Sequence, residues 1–78
     1  MSGDAEQLAR LKALGEKAYD DMYEAHSFGS ANACYSDAKE FFRDAIGLAE
    51  RMGEKDEADG LRKRLEHIKA VFRGQFAG

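Results

Sequence analysis

The chain has 78 residues, 44% of them hydrophobic and 35% charged, with 12 basic and 15 acidic side chains and a net charge of −3. That is apolar material for one modest core, which excludes wholesale disorder and leaves room for a single domain over residues 1–78. Cys34 is the one cysteine, so a disulfide framework within the chain is excluded, and no apolar run reaches the roughly 20 residues needed to span a bilayer.

Helical periodicity runs from end to end and no strand-like alternation interrupts it. In the first segment Leu8, Leu11, Gly15, Ala18, Met22 and Ala25 recur at alternating spacings of three and four, with Leu14 widening the stripe. This predicts a helix over 4–27, with Asp4 as N-cap and Gln7 completing a capping-box-like pair. Ser27-Phe28-Gly29-Ser30 reads as a turn, with Phe28 folding back over the core and Ser30 or Asn32 capping the next helix.

A second helix is expected over 31–52. Its stripe is broad, running through Ala31, Cys34, Tyr35, Ala38, Phe41, Phe42, Ala45, Leu48, Ala49 and Met52, and small residues alternate with large ones so that a neighbour can come close. Gly53 after Arg51 is a helix stop. The third helix, over 55–73, carries Ala58, Leu61, Leu65, Ile68 and Phe72 on one face. Gly60 lies inside it at a cost of about 1 kcal/mol relative to alanine, and close approach of another backbone would explain it. Gly74 is read as its end, with Phe76 packing back or fraying.

Short connections make successive helices antiparallel. The fold class is therefore all-α, a three-helix antiparallel array or bundle with the second helix central.

Two half-motifs carry a family resemblance. Leu11-x2-Leu14-Gly15-x2-Ala18 resembles the first half of a tetratricopeptide repeat, and Ala38-x3-Phe42-x2-Ala45 resembles the second half. The third helix would begin a further, incomplete repeat. Tyr35-x2-Ala38-x3-Phe42-x2-Ala45 is also similar to the three-helix microtubule-interacting-and-trafficking domain. The chain departs from the repeat pattern in two places. Nineteen residues lie between Ala18 and Ala38, which lengthens each helix by about a turn and a half, and Glu50 stands where a proline usually closes the second helix.

The resemblance implies a binding groove along the first helix, with Lys12, Glu16, Tyr19 and Asp20 facing it. The helical wheel partly agrees: Lys12, Glu16, Tyr19, Tyr23 and His26 share a second face beside the apolar stripe. Tyr19 and Tyr23 are either a wide core edge or a contact patch, since tyrosine buries its ring and keeps its hydroxyl satisfied. The partner expected is a protein or peptide helix, or a second copy of the chain in a homodimer.

Charge suggests an alternative. Residues 1–59 hold 7 basic and 14 acidic residues, whereas 60–78 hold five basic and one acidic. Arg62, Lys69 and Arg73 form a basic row on the third helix, which would serve a nucleic-acid-associated protein, although the acidic body opposes phosphate.

Chemistry has less to stand on. Asp20, Asp21 and Glu24 have helical ligand spacing, but His26 fits none of them. Cys34 and His26 flank one turn, but Cys34 falls on the apolar stripe. No catalytic residue, cofactor or metal ligand is therefore expected, and no enzyme activity. The unpaired cysteine and the absence of an export signal lead to a cytoplasmic expectation.

Overall fold

The computed structural model describes residues 2–77, and side-chain surroundings for 3–75. Three helices, α1 (Ser2–Glu24), α2 (Phe28–Arg51) and α3 (Lys55–Phe72), are followed by a π-helical turn over Arg73–Ala77. The fold is the all-α three-helix array expected, with no strand among the described residues.

Each helix buries two rows repeating every seven residues, the pattern of long, nearly aligned helix contacts. On α1 these are Leu8, Gly15, Met22 and Leu11, Ala18; on α2, Ala31, Ala38, Ala45 and Phe42, Ala49; on α3, Ala58, Leu65, Phe72 and Leu61, Ile68. Helix α2 packs along both neighbours, whereas the backbones of α1 and α3 stay further apart. The centre of the α1–α2 contact is Gly15. A Cβ there would lie 2.7 Å from Phe42 Cε2, so the ring rests against the α1 backbone itself. Phe42 is 1% exposed and, with Met22 and Ile68, is among the largest fully buried side chains.

The helix ends differ from expectation in instructive ways. Helix α1 starts at Ser2, so Asp4 lies in its first turn rather than capping it, and Gln7 accepts from Arg10 at 3.4 Å. It ends at Glu24, which leaves His26 in the connection rather than on the helix face. Ser27, not Ser30 or Asn32, caps α2: its Oγ accepts from the Ser30 backbone N–H at 3.1 Å, and Gly29 is drawn into the first turn. The α2 stop is as read. Gly53 has φ +78°, and the N–H groups of Gly53 and Glu54 reach back to the carbonyls of Glu50 and Ala49. Gly74 falls inside the π-helical turn rather than ending the helix. The side chain of Phe76 lies outside the described residues.

Three packing expectations also change. Leu14 is exposed instead of widening the core. Phe28 does reach the core edge, 6.0 Å from the Phe72 ring, yet remains 57% exposed. Gly60 is exposed, and a Cβ there would meet nothing within 4 Å, so no backbone of this chain explains it.

Candidate functional site

The α1 face singled out in the sequence turns towards α3, and the two helices run parallel along a seam. Lys12 pairs with Glu57 at one level. At the next level Arg64 grips Glu16 with both arms: Nε donates to Oε2 at 2.8 Å and a terminal nitrogen donates to Oε1 at 2.7 Å. The same guanidinium lies 4.9 Å from the centre of the Tyr19 ring, a cation–π contact. Hydrogen bonding to Glu16 raises the Arg64 pKa further above its ordinary value. Partial burial opposes this, while the charges of Glu16 and, more weakly, Tyr19 and Asp20 reinforce it.

Below this clamp the seam opens. Tyr19 sits edge-on to Tyr23 at 6.3 Å and to His67 at 6.4 Å. With Ala70, Val71, Gly74 and Gln75 they line a shallow groove of about 490 Å³. Tyr19 is half-buried against both halves of the core, and Tyr23 is 55% exposed. The two tyrosines thus divide the alternatives between them, Tyr19 forming the core edge and Tyr23 the open surface. Asp20 is exposed on the outer shoulder of α1.

Of the five residues singled out on α1, Lys12, Glu16 and Tyr19 are engaged by α3, while Asp20 and Tyr23 face solvent. Sequence reading missed the α3 side of the site. Glu57, Arg64 and Val71 form one row of seven-residue spacing and Gly60, His67 and Gly74 another. The signal was present in principle, because Lys12 and Glu16 on α1 have charge complements in Glu57 and Arg64.

The basic row, Arg62 and Lys69 on α3 and Arg73 at the start of the π-helical turn, lies apart from this seam. Arg62 bridges to Glu50 on α2 and donates to Asp59 at 2.9 Å. Lys69 pairs with Glu66 at 3.2 Å, and Arg73 has no ion-pair partner among the described residues. On the α2–α3 side Tyr35 stacks flat on Phe72 at 4.0 Å, with the Lys39 ammonium 4.4 Å above Tyr35. Cys34 is half-buried beside Met22 and Ala31, and His26 is exposed. Among the described residues no three His, Cys, Asp or Glu side chains gather as metal ligands would, and no helix is long and apolar enough to cross a membrane.

No protein family matches the chain, and neither does any curated protein or solved structure.

Proposed function

We propose that the chain is a small protein–protein interaction module of the cytoplasm, which takes a helix, a peptide or a second copy of itself along the α1–α3 seam. The observation that carries this reading is Tyr23, a 55% exposed aromatic beside a shallow groove. Tyrosine in such a setting offers a large rigid contact area at low entropic cost. The polar side chains above it, Lys12, Glu16 and Arg64, are already paired within the chain. They hold the seam's shape, and binding energy then comes from Tyr23 and the groove, with Asp20 setting polarity. The resemblance to one and a half tetratricopeptide repeats supports the same face of α1. A nucleic-acid role for Arg62, Lys69 and Arg73 has less support, because two of the three already hold acidic partners.

The test is affinity isolation from the native cell with wild type and Tyr23→Ala. Tyr23→Ala removes a half-exposed ring and is expected to leave helicity and melting nearly unchanged while the bound protein is lost. Retention of every partner by the folded variant would sink the reading. Tyr19→Ala is the poorer probe, since it also removes the ring beneath Arg64.

A further inference from the structure

We draw no further inference here: the strongest candidate, the low surface patch along the α1–α3 seam where Ala9, Ala13 and Gly60 stand exposed, carries nothing, because both of its shoulders hold exposed charges of either sign, Lys17 with Glu24 on α1 and Lys63 with Asp59 on α3, and nothing in the structure shows what covers it.

Discussion

Helix α1 has two neighbours and meets them by different means. Against α2 it offers Gly15 and receives the Cδ2–Cε2–Cζ edge of the Phe42 ring, and the alanines of α2 keep the backbones close. Against α3 it keeps its distance and reaches across with long side chains, Lys12 to Glu57 and Glu16 to Arg64, with Tyr19 under the guanidinium. The first contact is made of volume and tolerates no additions. The second is made of charge in partial contact with water, where an ion pair contributes little to stability. A contact of the second kind can be spared for positioning a surface, and this is the seam on which the groove opens.

Substitutions can break or sharpen that contrast. The largest effect is expected from Phe42→Ala, which empties the centre of the α1–α2 contact and should cost about 3–5 kcal/mol. For so small a chain this approaches the whole of its stability, so the variant should be largely unfolded by circular dichroism. Next comes Gly15→Leu. A Cβ 2.7 Å from a buried ring forces Phe42 or α1 to move. Overpacking of this kind costs about 1–3 kcal/mol, read as a lower midpoint in urea.

On the other seam Arg64→Ala should cost only about 1 kcal/mol, because Arg64 and Glu16 both keep solvent contact. Its cost should shrink further in high salt. The raised Arg64 pKa has a definite sign. Its stabilisation is complete below the unfolded pKa and is lost only as pH climbs through the still higher folded one. The penalty of Arg64→Ala should therefore show no contribution from Arg64 titration between neutral pH and about pH 10. The smallest effect has the opposite direction. Gly60→Ala meets nothing and should stabilise the monomer by up to about 1 kcal/mol, measured by melting at low concentration. Two glycines in one bundle would then respond with opposite sign to a larger side chain.

The same contrast explains what the sequence could reveal. The rows that build the core, such as Leu11, Phe42 and Leu65, lie on helical spacings of three and four, and all three are buried. Periodicity is a local signal and registers them directly. The helix start at Ser27 was harder, because Ser27 and Ser30 are both good caps and Gly29 resembles a turn. What decides is a hydrogen bond that only the folded backbone forms. The α3 half of the candidate site was hidden for a different reason. Lys12 and Glu57 are separated by 45 positions and Glu16 and Arg64 by 48, so no window along the chain holds both partners. Gly60 misled because a glycine inside a helix signals close approach without saying whose backbone approaches.

The interaction face is tested most directly by amide proton–nitrogen spectra recorded as a partner isolated from the native cell is added. Shifts are expected to gather on the outward positions of α1 from Ala9 to Glu24 and of α3 from Gly60 to Val71, with the solvent side of α2 unmoved. A spectrum that does not change, or one that changes along α2 instead, would contradict the assignment of the α1–α3 face as the contact surface.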